Sequence, residues 1–312
     1  MRIGIVTDSA CDLPSAYREQ HDIQILPITL RFGNEFFRDL RDPDETKAFY
    51  ARLVQERDVD AETLPLGVDE VAALFLDEFV LRYDRVLVIT VSSSRGPIFD
   101  HTTKASFKIL KGYRERRGKA GIEGPFALRV MDSRTLFTGQ AVLVQEAVRL
   151  LEEEETPFDQ LRPAVEQLTR HVYAYLVPST LYYLYHRGRQ TGDRSVGWLQ
   201  YKLGTMLDVK PVIQMYRGEA GPVAKHKGYA AALGHLFDRA RHEMDAGLRT
   251  RTVAMSYAGN PDDIRERGDF KAFEADAASA GVQTTLAVMS TAAGINVGPG
   301  AFSLGYISGQ ER

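Results

Sequence analysis

Two kinds of apolar spacing run along the chain. In its first half, β-branched runs at residues 3–7 (IGIVT) and 85–91 (RVLVITV) read as strands covered on both faces of a parallel sheet. Helical spacing follows in DPDETKAFYARLVQER from residue 42, with Pro43 near its start, in VDEVAALFLDEFVLRY from residue 68, and over residues 99–116. The strand FALRVMDS and the helix GQAVLVQEAVRLLEEE continue the alternation, which implies right-handed parallel crossovers. QILPITLRFG reads as a strand that Pro27 breaks or confines to an edge.

A charge run and Pro157 in EEEETPFDQL mark a boundary, and a helix over residues 158–169 fits either side of it. Beyond it, a strand VYAYLV, a helix in TLYYLYHRGRQTG, a helix near VGWLQYKLG and a hairpin turning at Gly218 are expected. A helix over residues 229–244, a strand TVAMSYAG, a helix ending near Gly281 and the strands VQTTLAVMS and GAFSLGYIS complete the pattern. The expected fold class is α/β in two domains. Residues 1–160 form a parallel-sheet α/β layer domain, and residues 161–312 an α+β domain with a mixed or antiparallel sheet.

Composition narrows the functions. A chain of 312 residues supports two cores, and 44% hydrophobic with 26% charged residues is the balance of a folded globular protein. A net charge of -3 lacks the basic footprint of a nucleic-acid binder, so no nucleic-acid partner is expected. Cys11 is the single cysteine, which excludes an internal disulfide and a cysteine metal site and suits a reducing cytoplasm. The apolar start is too short for a signal-peptide core, and no run approaches the ~20 residues of a membrane helix. The seven histidines are scattered, with His235 and His242 two turns apart on a helix face that solvent would cover. Neither a Walker loop nor a Gly-x-Gly-x-x-Gly fingerprint occurs, so neither metal nor cofactor is expected.

Candidate chemistry gathers where parallel strands end, because ligands collect there. Thr7, Asp8 and Ser9, then Ser92, Ser93 and Ser94, then Asp132 and Ser133 occupy three such ends. Singly, Asp12, Ser94 and Thr135 read as helix caps; together the three ends suggest a site. One enzymatic alternative is a serine hydrolase. Ser92-x-Ser94-x-Gly96 is a degraded nucleophile elbow with Ser94 as nucleophile, and Asp132 and His171 follow in triad order.

VTDSACDLP, LPITLRFGNEFFRD, SSSRG, MDSRTLFTGQ, LYYLYHRGRQTG, LDVKPVIQMYRGEAGPVAKHKG and NVGPGAFSLGY come in one order, and with them nearly the whole chain resembles the DegV family of bacterial fatty-acid-binding proteins. The resemblance implies two α/β domains holding a long-chain fatty acid in a tunnel between them. It also implies a carboxylate presented to a partner fatty-acid kinase subunit, which makes the acyl phosphate. The protein would be a holder, not a catalyst. Carried over by motif, the resemblance assigns carboxylate contact to Ser93, Thr63, Asn296, Gly298 and Gly300. Arg189 and Lys227 face a kinase or a phosphate on this reading, or are solvated surface charges. Several positions depart from the family pattern. Glu62 stands for threonine, Thr63 for serine, Gly96-Pro97-Ile98 for Ser-Gly-Thr, Tyr257 for histidine, Asn296 for an imidazole and Val297 for a hydroxyl. These losses lead us to expect an altered head-group preference or weaker coupling to a kinase.

Overall fold

The computed structural model describes residues 1–56, 58–191 and 208–310. Its strands in chain order are β1 (Ile3–Asp8), β2 (Gln24–Leu26), β3 (Ile28–Phe32), β4 (Glu35–Asp39), β5 (Ala61–Pro65), β6 (Arg85–Thr90), β7 (Ala127–Asp132), β8 (Val172–Val177), β9 (Val209–Tyr216), β10 (Glu219–Lys227), β11 (Leu248–Tyr257), β12 (Gln283–Val288) and β13 (Phe302–Ser308). The order β2-β1-β6-β7 makes a four-stranded sheet, parallel throughout. The order β10-β9-β8-β13-β11-β12 makes a six-stranded sheet, antiparallel but for the β11–β12 pair. The α/β expectation holds, with a parallel sheet first and a mixed sheet after it.

Strand side chains alternate between faces, and the apolar runs show why both faces needed cover. Ile5, Leu87, Ile89 and Met131 enter one buried cluster, Val6, Val86, Val88 and Val130 another. The first cluster is built on the helix Thr138–Glu152, whose residues 138–148 are all buried. That helix lies between the two sheets, because the same cluster takes in Val172, Ala254 and Ile307 of the six-stranded sheet. Its first turn sits directly on the strands. A Cβ added at Gly305 would lie 2.7 Å from the Thr138 carbonyl carbon, and one at Gly139 would lie 2.9 Å from the Ala174 Cβ.

The hairpin turns where expected. Tyr216 pairs with Glu219 across Arg217 and Gly218, both at positive φ (52° and 89°), the geometry of a two-residue type I′ turn. Pro27 does break its strand, and the chain changes sheets there. β2 pairs with β1, whereas β3 is the centre of a separate three-stranded antiparallel sheet of order β4-β3-β5. At the break the Ile28 N–H donates to Ser9 Oγ at 3.0 Å. This small sheet was not expected, since the AETLP of β5 has no strand-like alternation.

The three expected caps are corrected. The helix Ser15–Gln20 starts after Pro14 with no side-chain cap, and Asp12 instead accepts from Ser256 Oγ (2.6 Å) and Ser290 N (2.8 Å), 3.5 Å from Arg41. Thr135 caps nothing, the helix Thr138–Glu152 having no side-chain cap. Ser92 rather than Ser94 caps the short turn Ser93–Arg95. The helix expected near residues 196–204 lies outside the described residues. Among the described residues no helix is long and apolar enough to cross a membrane.

Candidate functional site

A cavity of about 440 Å³ opens where the ends of the parallel strands face the six-stranded sheet. One wall comes from Ala10 after β1, Ile28 on β3, Thr63 on β5 and the loop after β6 with Val91, Ser94 and Gly96; Leu176, Ile213 and Met215 of β8 and β9 form the opposite wall. Two helices close the side, Tyr182–Thr191 through Leu184 and Arg187, and Thr291–Val297 through Ala293 and Asn296. The lining is mostly apolar, with polar groups at a few points.

Asp8 fixes one wall. Its carboxylate, fully buried, accepts from Val91 N (2.6 Å), Ala10 N (3.1 Å) and Gln140 Nε2 (3.2 Å), and both Ala10 and Val91 line the cavity. Burial pushes its pKa up to about 6 against these three hydrogen bonds. The other hydroxyls at the strand ends are likewise engaged within the protein. Thr7 donates to Ile89 O, Ser9 accepts from Ile28 N, and Ser133 donates to Thr135 O.

The structure brings Thr63 and Asn296 to the cavity and leaves the other expected contacts outside its lining. Ser93 is exposed, its Oγ donating to Asp132 Oδ2 at 2.5 Å; of this serine run it is the neighbouring Ser94 that lines the cavity, as Ser303 of β13 also does. Glu62 lies on β5 beside Thr63, and its carboxylate pairs with Arg31 at 3.0 Å. Gly298 and Gly300 have positive φ (84° and 76°), but their N–H groups already donate to Gly294 O (2.8 Å) and Ala258 O (2.7 Å). A Cβ at Gly298 would sit 2.2 Å from the Tyr183 ring, and one at Gly300 would sit 2.9 Å from Ser179 Cβ. These glycines answer to close packing. Lys227 is exposed at the end of the edge strand β10. Arg189 is on the helix Tyr182–Thr191, with its side chain outside the described part.

Arg187 was missed by sequence reasoning. Its Nε donates to Asn296 Oδ1 at 3.3 Å and its Nη1 to the Ala61 carbonyl, while Asn296 Nδ2 donates to Ala292 O at 2.7 Å. Burial pulls its pKa down, and the carboxylates of Glu62 and Asp60 pull it back up. The usable signal was its place three residues after Leu184, the spacing that sets two side chains on one helix face.

The triad of the hydrolase alternative is not assembled. Ser94 Oγ donates to Gly218 O at 2.8 Å, and Asp132 accepts from Ser93 and from Arg134 N. Among the described residues no hydrogen bond joins either one to a histidine. A serine nucleophile needs a base within hydrogen-bond reach. Nor do three metal-ligating side chains come together among the described residues.

Residues 2–309 match a family model described as "Uncharacterised protein, DegV family". The chain belongs to the DegV family. A DegV domain-containing protein of Xanthomonas axonopodis pv. citri is 42% identical over 98% of this chain and 97% of its own. Among solved structures, a stearic acid-binding protein from Eubacterium ventriosum superposes with a TM-score of 0.79 at 23% identity, covering 97% of each chain. A DegV lipid-binding protein from Thermotoga maritima gives 0.78 at 19% identity over 100% of both chains. At such identities the likeness establishes the DegV fold. In this DegV chain the position expected to hold an imidazole carries Asn296, bonded to Arg187.

Proposed function

We propose that this protein binds a long-chain fatty acid in the cavity and presents the carboxylate to a partner fatty-acid kinase subunit for conversion to an acyl phosphate. The observation that carries the reading is the cavity itself: about 440 Å³, mostly apolar in its lining, with polar side chains at Thr63, Ser94, Arg95, Tyr175, Arg187, Asn296 and Ser303. That volume lies within the roughly 300–1,000 Å³ of small-molecule sites. Burying about 15 methylenes at ~0.8 kcal/mol each contributes on the order of 12 kcal/mol before association and ordering costs. Affinity therefore comes from the tail, and the polar points orient the head. The stearic acid bound by the E. ventriosum relative supports the same ligand class.

On this reading residues 1–160 and 161–312 are the two domains that hold the acyl chain, and the protein is a cytoplasmic carrier rather than a catalyst. Ser93, Gly298 and Gly300 lie outside the cavity lining, so a direct role for them in carboxylate contact requires the loops to shift when lipid binds. Arg189 and Lys227 remain our candidates for the kinase-facing surface. The test is mass spectrometry of an organic extract of the purified protein, followed by addition of hexadecanoate to delipidated protein. A near-stoichiometric acyl species is expected; recovery of none, with no binding of hexadecanoate, refutes the reading. Mixing the loaded protein with a fatty-acid kinase subunit and ATP should yield hydroxylamine-reactive acyl phosphate, and none without this protein.

A further inference from the structure

We propose that Arg187, held by Asn296, is the residue that makes this site select a carboxylate over an uncharged head group; the inference rests on the cavity being the acyl site. Thr63 Oγ1 can donate to an acid, an alcohol or an ester, and Ser94 Oγ already donates to Gly218 O, so neither hydroxyl sharply tells these apart. A guanidinium does. It is planar, permanently charged and carries five N–H donors in the geometry of a carboxylate.

Arg187 is placed for this by three anchors. Leu184 and Arg187 both reach the cavity from one helix face. Nη1 is tied to Ala61 O on β5, the strand that carries Thr63, and Nε is tied to Asn296 on the helix Thr291–Val297. Asn296 is itself fixed through Nδ2 to Ala292 O. Its amide thus holds the guanidinium with a neutral oxygen, where an aspartate would supply a competing charge. The nearby acids Glu62 and Asp60 are both paired with Arg31, and act on Arg187 through space. In this half-buried, largely apolar setting an ion pair is less screened than at the surface.

Arg95 is the other cation among the described residues that line the cavity, and it is carried by the turn Ser93–Arg95 rather than by the strand and helices that carry Thr63, Arg187 and Asn296. It serves as the control. The experiment measures dissociation constants of hexadecanoate and hexadecan-1-ol for delipidated wild type, Arg187→Gln, Arg187→Lys, Asn296→Asp and Arg95→Gln, by displacement of a fluorescent acyl probe. Wild type should favour the acid by about tenfold to a hundredfold, the range of a hydrogen bond to a charged group. Arg187→Gln and Asn296→Asp should lose most of that preference while keeping their affinity for the alcohol, and Arg187→Lys should keep part of it. Full acid preference in Arg187→Gln, or its loss in Arg95→Gln alone, overturns the proposal. Should Arg187→Gln bind neither ligand, Asn296→Asp decides, and an unchanged preference there overturns it. Wild type that binds neither ligand refutes the acyl site itself, a distinct result.

Discussion

Replacing Asp12 with asparagine should destabilise this protein more than almost any other change of one atom. Asp12 is fully buried, and the Arg41 side chain 3.5 Å away is only 4% exposed. Burial raises the Asp12 pKa, and Arg41, Ser256 and Ser290 act against that rise. Truncating one member of such a pair leaves the other charge buried and uncompensated, at a cost of about 3–5 kcal/mol. The amide also turns one hydrogen-bond acceptor into a donor opposite Ser256 Oγ or Ser290 N, both of which donate to Asp12 now. Urea denaturation followed by far-ultraviolet circular dichroism of wild type, Asp12→Asn, Arg41→Met and the double variant measures this. Asp12→Asn should lose about 3–5 kcal/mol, and the double variant should lose less than the two single losses together, because it strands no charge. An Asp12→Asn loss below about 1 kcal/mol, or strictly additive losses, would refute the reasoning. Because Ser290 caps the helix that carries Asn296, the same variant should bind hexadecanoate more weakly.

Asp8 offers a pH test. With its folded pKa at about 6, above the ordinary 3.8, the native state binds the extra proton between these values. The Asp8 contribution to stability is therefore complete below about pH 4 and is lost as pH rises through about 6, a swing of up to about 3 kcal/mol. Against Asp8→Asn, wild type should gain relative stability from pH 7.5 to pH 4.5, and parallel denaturation profiles would contradict this. Gly298→Ala should cost about 2–4 kcal/mol in thermal unfolding, since φ is 84° and the new Cβ meets a Tyr183 ring that is tied to Leu53 O. A wild-type melting temperature would show that the loop relaxes freely. Met215→Trp, which fills part of the cavity from β9, should shift the recovered acyl chains to shorter lengths, each lost methylene weakening binding by ~0.8 kcal/mol. An unchanged chain-length profile by mass spectrometry would place the acyl chain elsewhere.

What could be read in advance was local. The parallel strands announce themselves in continuous apolar runs, and Arg217-Gly218 between two alternating segments specifies its own turn. Pro27 shows that a strand must break and Gly33-Asn34 offers a tight turn into β4, yet nothing nearby says that the second piece also pairs with β5 in a sheet of its own. Asp12 failed as a cap for the same reason. A capping pattern is judged over four residues, while the partners that hold this carboxylate lie 244 and 278 positions away.

The site residues divide along the same line, which explains why motif matching led to Arg189 and geometry leads to Arg187. An α-helix turns 100° per residue, so two residues apart is the spacing that separates faces, and a motif aligned on Arg189 says nothing of what its neighbour but one confronts. Arg187 gained its place through Asn296, 109 residues on, and Ala61, 126 residues back. The glycines of the Gly-Pro-Gly segment show the converse. A glycine at positive φ marks a backbone that other side chains avoid, and does not say what stands beside it. At Gly298 it is the ring of Tyr183, one position from Leu184 on the helix that delivers Arg187. That segment shapes the cavity by seating the helix, so a substitution at Gly298 should weaken acid and alcohol binding alike, whereas one at Arg187 should separate them.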